Sequence, residues 1–169
     1  MLIKLNITDD SGFIAIVNAD KYFSFVDENW NLPQLLNHFV DQMNKQTLII
    51  WTTGLQNTWT IIFSDKPSNQ KAFKEFSKSI EVTSGQLFLT NYEDLTMAAQ
   101  FDEETIPANH NSELCIKLDN GKYIFLIRQM FNPENYDYDK IEKNDFEIII
   151  QSNNDSKLIK IDKVFWWTD

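Results

Sequence analysis

A chain of 169 residues, 43% apolar and 14% aromatic, has enough to bury to fold as one globular domain over 1–169 and is too apolar for a disordered segment. Its net charge of −10 argues against nucleic acid or an anionic membrane as partner, and its apolar runs are too short to span a bilayer. One cysteine forms no internal disulfide, and the N-terminus lacks a basic start followed by an apolar stretch, so the expected compartment is the cytoplasm.

Leu2 to Thr8 alternates apolar and polar side chains, Asp9-Asp10-Ser11-Gly12 punctuates it, and Phe13 to Val17 and Tyr22 to Val26 follow. This pattern predicts three short antiparallel strands. Asn31 before Leu32-Pro33 reads as a helix cap, and Leu32, Leu35, Leu36, Phe39, Val40 and Met43 recur at helical spacing, which predicts a helix over 32–45. Thr47 to Thr53 and Thr58 to Ser64 are β-branched and aromatic and flank Gly54-Leu55-Gln56-Asn57, a predicted hairpin. A second helix is expected after Ser68, with Ala72, Phe73, Phe76 and Ile80 on one face and Lys71, Lys74 and Lys78 on a solvated one.

From Glu81 the reading turns extended: Glu81 to Thr83, Gln86 to Thr90 and Leu95 to Phe101, with a short helix over 94–101 as the alternative for the last. An irregular acidic stretch from Asp102 to Ser112 leads to Leu114 to Leu118 and then Tyr123 to Gln129. Asn120-Gly121 between these two runs predicts a hairpin. A polar loop over 132–144, a strand from Phe146 to Gln151, a turn from Ser152 to Ser156 and a final strand from Leu158 to Trp167 complete the pattern. The fold class expected is α+β, mainly antiparallel β, a sandwich or open barrel with two amphipathic helices.

Ser11-Gly12, Ile14, Ile16, Asn18 and Asp20 recur at one constant offset as Ser84-Gly85, Leu87, Leu89, Asn91 and Glu93. Two readings stand: an internal duplication with units 1–67 and 81–151, or a single meander with similar turns.

Catalytic chemistry finds little footing. There is no Gly-rich phosphate loop, no His-Glu-x-x-His and no Gly-x-Ser-x-Gly. His38 falls on the polar side of the first helix and His110 in a turn-like stretch. Cys115 reads as a small buried hydrophobe, and a nucleophile there would need His110 folded beside it. The loop Asn132 to Asp139 spaces oxygen ligands without the glycine or final glutamate of a calcium loop, so no metal or cofactor is assigned.

The acid is concentrated between residues 91 and 155, where fourteen acids face five bases. Within that stretch Asp102, Glu103 and Glu104, together with Tyr136, Asp137, Tyr138 and Asp139, form the candidate partner-binding residues of a non-enzymatic module, of inhibitor or toxin-antagonist type, docking on a basic protein. The alternative is a small-molecule or sugar-binding β domain using an aromatic platform. Trp166 and Trp167 are its candidate ligand-binding residues, with Trp51 as a further candidate for the platform, although Trp51 also reads, with Trp30 and Trp59, as part of the core and its rim. An exposed C-terminal strand carrying surplus aromatics also suggests a homodimer, because pairing removes an open edge.

Overall fold

The computed structural model describes residues 1–155 and 157–168. Its strands run β1 (Leu2–Asp9), β2 (Phe13–Val17), β3 (Leu48–Thr52), β4 (Asn57–Ser64), β5 (Lys74–Val82), β6 (Gln86–Asn91), β7 (Cys115–Lys117), β8 (Gly121–Gln129) and β9 (Phe146–Ser152), with α1 (Leu32–Asn44) after β2 and α2 (Tyr92–Gln100) after β6. They form a five-stranded sheet, β1-β4-β9-β8-β5, and a four-stranded sheet, β3-β2-β6-β7. All pairs are antiparallel except β4 with β9. The fold is therefore α+β, a mainly antiparallel sandwich with two α-helices.

Three layers follow from the apolar pattern. Ile7, Trp59, Phe63, Phe125 and Phe146 of the larger sheet pack against Ile14, Trp51 and Leu89 of the smaller one. The opposite face of the smaller sheet, including Ala15, Val17 and Ile50, packs against Leu35, Phe39 and Met43 of α1 and Leu95 and Ala99 of α2. Covered on both sides, β2 is buried at every position, which is why its sequence is continuously apolar instead of alternating. The cap of α1 forms as its residues imply: the Asn31 side chain accepts from the Gln34 N–H, the Gln34 side chain accepts from the Asn31 N–H, and Pro33 sits in the first turn.

Several expectations fail, each for a physical reason. Tyr22 to Val26 is no strand, because its amides are taken by other partners: Tyr22 donates to the Asn18 carbonyl, Phe23 to Gln42 Oε1 and Val26 to the Ala99 carbonyl. β1 and β2 lie in different sheets, so the predicted three-stranded group does not exist. Gly54 and Asn120-Gly121 do mark turns, but each turn crosses between the sheets: β3 pairs with β2 and β4 with β1, while β7 pairs with β6 and β8 with β5. The helix expected after Ser68 is strand β5, and the second helix is α2. Phe76 and Ile80 are four residues apart, a spacing that keeps two side chains on one side of either a helix or a strand.

The final strand is also absent. Residues 158–167 are irregular apart from one bridge, Phe165 with Trp51, where the Thr52 N–H donates to the Phe165 carbonyl at 3.2 Å. The tail runs along β3 and is tied to α1, where Asn44 exchanges two hydrogen bonds of 2.9 Å with the backbone of Ile161. The open edge on which pairing of two copies was expected is thus not formed by this segment. Ser156, the last position of the predicted 152–156 turn, lies outside the described residues.

The turns of the sequence echo occupy matching places. Gly12 precedes β2 and Gly85 precedes β6, both at positive φ, and β2 and β6 pair at the centre of the smaller sheet. The order strand, strand, helix, strand, strand runs from β1 to β4 and again from β5 to β8.

Candidate functional site

The C-terminal end of α2 builds an acidic face with aromatic side chains in it. Asn91 caps α2 by accepting from the Asp94 N–H at 3.0 Å, and Glu93 and Asp94 complement the helix dipole in its first turn. Leu95, Ala98 and Ala99 face the sheet, which leaves Met97 46% exposed and Phe101, one turn on, 37% exposed. Val26 and Asp27 both donate to the Ala99 carbonyl and so lay the 22–29 segment alongside the helix. The result is a shallow cleft of about 630 Å³ where Phe25 and Phe101 stand among the carboxylates of Glu28, Asp102 and Glu103, with no cation in the lining. Glu104, also exposed, follows directly.

The other acidic segment lies on a different layer. Tyr136 packs edge-on against Trp59 and Phe131 of the larger sheet's core, and its hydroxyl donates to Asp145 Oδ1 at 2.8 Å. Burial first, and then the Asp145 carboxylate, push this phenol far above its ordinary value. Tyr138 leans on Tyr136 with ring centres 4.8 Å apart and is 58% exposed; Asp137 and Asp139 are exposed beside it. Tyr136 is thus committed to internal packing.

Trp166 and Trp167 line a second cleft, of about 480 Å³, together with Phe13, Leu55 and Lys74. Trp167 stacks on Phe13 at 5.4 Å. Trp166 holds a positive φ of 62°, a conformation costing a non-glycine residue about 1–3 kcal/mol, and is kept there by Thr52 Oγ1 donating to its carbonyl and by Phe76 against its ring. The Lys74 ammonium stands 4.3 Å from the centre of the Trp166 ring. Trp51 is fully buried and takes no part, which corrects its place among the platform candidates.

The groups considered for catalysis do not converge. Cys115 Sγ donates to Gln86 Oε1, and burial raises its thiol above the ordinary value. His110 Nε2 instead pairs with Asp94 Oδ1 at 2.8 Å, with the imidazole 69% exposed. His38 is half-buried against Tyr22, not solvated as its helix face suggested. The deeply buried Asp9 is saturated: Oδ1 accepts from the N–H groups of Ser11, Gly12 and Phe13, and Oδ2 from Thr53 Oγ1 and Trp59 Nε1. Among the described residues no three His, Cys, Asp or Glu side chains come together to hold a metal ion, and no helix is long and apolar enough to cross a membrane.

The structure places Asp102 to Glu104 on the surface and Trp166 and Trp167 in a cleft, and Phe25, Glu28, Phe101, Phe13 and Lys74, which line these two clefts, were not among the sequence candidates. Phe101 and Met97 at helical spacing on the outer side of α2 were the one legible signal.

No protein-family model matches the chain, and no curated protein matches it. Among solved structures, the chain is similar to one described as "Crocagin biosynthetic gene J", with 14% identity over 91% of this chain and 98% of that one and a TM-score of 0.57. It is also similar to ComJ, inhibitor of the DNA degrading activity of NucA, from Bacillus subtilis, with 12% identity over 89% of this chain and 96% of that one and a TM-score of 0.49. The likeness to the first is one of fold.

Proposed function

We propose that this chain is a non-enzymatic protein-binding module whose acidic face at the end of α2 docks on a basic partner. One observation carries the reading: exposed Phe101 and half-buried Phe25 line a cleft with the carboxylates of Glu28, Asp102 and Glu103, and no lysine or arginine is in that lining. Aromatic side chains supply contact area, and unpaired like charges supply long-range attraction and selection for a cationic surface. The surplus of acids over bases between residues 91 and 155 adds to the same field. Tyr138, Asp137 and Asp139 form a second, smaller contact zone in this reading. The raised Cys115 thiol and its distance in partnership from His110 favour binding over covalent catalysis.

The test compares the wild type with a variant carrying Glu28→Gln, Asp102→Asn, Glu103→Gln and Glu104→Gln. Each is used to capture proteins from a lysate of the source cell at low and high salt, and any basic protein retained is purified and titrated against both forms. The expected result is affinity at least about tenfold lower for the variant and a steep loss with salt for the wild type. Equal affinity with the acids neutralised overturns the reading.

A further inference from the structure

The second cleft has a chemistry of its own. Lys74 is half-buried on edge strand β5, its ammonium lies over the Trp166 ring, and no carboxylate of the described residues pairs with it. What sets Lys74 apart is its place: a half-buried ammonium held against an indole face inside a cleft. An indole face attracts a cation but cannot accept its N–H groups as an oxyanion does. The remaining walls are mixed: Trp167 stacked on Phe13, and Leu55, supply the apolar and aromatic part, and Ser11, Thr52, Gln56 and Thr168 supply neutral polar groups. Trp166 takes its strained backbone at this same place, and such residues concentrate where a ligand is held.

We propose that this cleft binds a small organic anion with a planar aromatic body, its carboxylate or equivalent oxyanion on Lys74 and its ring against Trp166 and Trp167. The volume of about 480 Å³ is in the range of small-molecule sites and fits a fused bicyclic ring. An uncharged sugar leaves the ammonium unanswered, and a compact inorganic anion leaves the indole walls uncovered. At physiological ionic strength the field of distant acids is screened within about 8 Å, so the adjacent ammonium governs what enters. Burial lowers the Lys74 pKa, which makes a bound anion and the charged lysine mutually stabilising.

The experiment titrates 2-naphthoate, and separately its neutral counterpart 2-naphthalenemethanol, into nitrogen-15-labelled protein and follows the indole Nε1–H resonances. The expected result is a saturable shift of the Trp166 and Trp167 signals with naphthoate, at least about tenfold weaker with the alcohol. Lys74→Gln is expected to lose about as much affinity, and Lys74→Arg to keep binding, with the signals of buried Trp51 and Trp59 reporting that each variant is folded. Equal affinity for acid and alcohol, an unweakened and folded Lys74→Gln, or no saturable shift of Trp166 and Trp167 each overturns the proposal. The comparison of acid with alcohol decides the matter on the wild type alone if Lys74→Gln does not fold.

Discussion

The Arg128 guanidinium on β8 donates to the Glu147 carboxylate on β9, with both side chains less than a tenth exposed on the outer side of the larger sheet. Arg128 also donates to Glu75 Oε2 at 3.2 Å and to the Gln70 carbonyl at 2.7 Å, and Glu147 also accepts from the Ser68 N–H and from Asn144 Nδ2. One ion pair thereby ties β5, β8 and β9 to the segments that cross over them. Burial pushes the Glu147 carboxyl up, but the Ser68 and Asn144 donors and the Arg128 charge outweigh it and hold it below the ordinary glutamate value.

Glu147→Ala strands a buried guanidinium and is expected to cost about 3 kcal/mol, the low end for a broken buried pair because Glu75 remains. Arg128→Met combined with Glu147→Leu is expected to cost less than Glu147→Ala alone. Urea unfolding at neutral pH measures both; a loss under about 1 kcal/mol for Glu147→Ala contradicts the assignment. Because the folded pKa is depressed, the stability from Glu147 is full above the ordinary glutamate range and is lost as pH falls through the folded value.

His38 gives the opposite end of the acid range. Burial lowers its pKa from 6.5, against the raising effects of a Phe23 backbone hydrogen bond and of Asp41, while Lys45 adds to the lowering. The unfolded chain takes up the proton first, so stability falls as pH drops below 6.5 and levels off once the folded imidazole is also protonated. His38→Gln is expected to flatten this part of the pH–stability curve, measured by chemical unfolding at steps from neutral to mildly acidic pH. A curve parallel to the wild type contradicts it.

Gly54 and Gly12 share a positive φ but differ in surroundings. A Cβ on Gly54 lies 2.7 Å from Pro133 Cγ, while one on Gly12 meets nothing nearer than Thr53 Oγ1 at 3.9 Å. Gly12→Ala is expected to cost about 1 kcal/mol from its backbone alone. Gly54→Ala adds a clash that displaces the 132–136 segment and costs about 2–4 kcal/mol in total. Thermal unfolding of the two variants side by side gives the ranking, and the reverse order is the contrary result.

Asn44→Ala removes both bonds to Ile161 and is expected to cost about 1–2 kcal/mol. Its larger effect is local: trypsin cuts faster at Lys157, Lys160 and Lys163 while the body of the protein resists, as a time course with mass spectrometry shows. Unchanged cleavage at these lysines rules out the tether.

Strand and helix positions were legible where one periodicity dominated, as in α1 with its Asn31-Gln34 cap or β1 with its alternation. Phe76 and Ile80 satisfied both periodicities, and Lys71, Lys74 and Lys78 looked like a solvated helix face although Lys78 is buried and donates to the Ile159 carbonyl. Turn chemistry at Gly54 and Gly121 was readable, yet a turn residue says only that the chain bends and not which strand it will pair with. The same limit governs the sites. Asp102 to Glu104 and Trp166-Trp167 stand as local clusters, whereas Phe25 beside Phe101, or Lys74 over Trp166, are meetings that only tertiary packing creates.

The place of β9 has a consequence during synthesis. It comes last of the nine strands among the described residues, yet it occupies the middle of its sheet, parallel to β4 and antiparallel to β8. Until residues 146–152 leave the ribosome, β4 and β8 each present an unpaired edge and the larger sheet exists as two separate ribbons. Nascent chains shorter than this hold surface that a neighbouring nascent chain's β9 can enter, so exchange of β9 between two copies is the misassembly this topology invites on crowded polysomes.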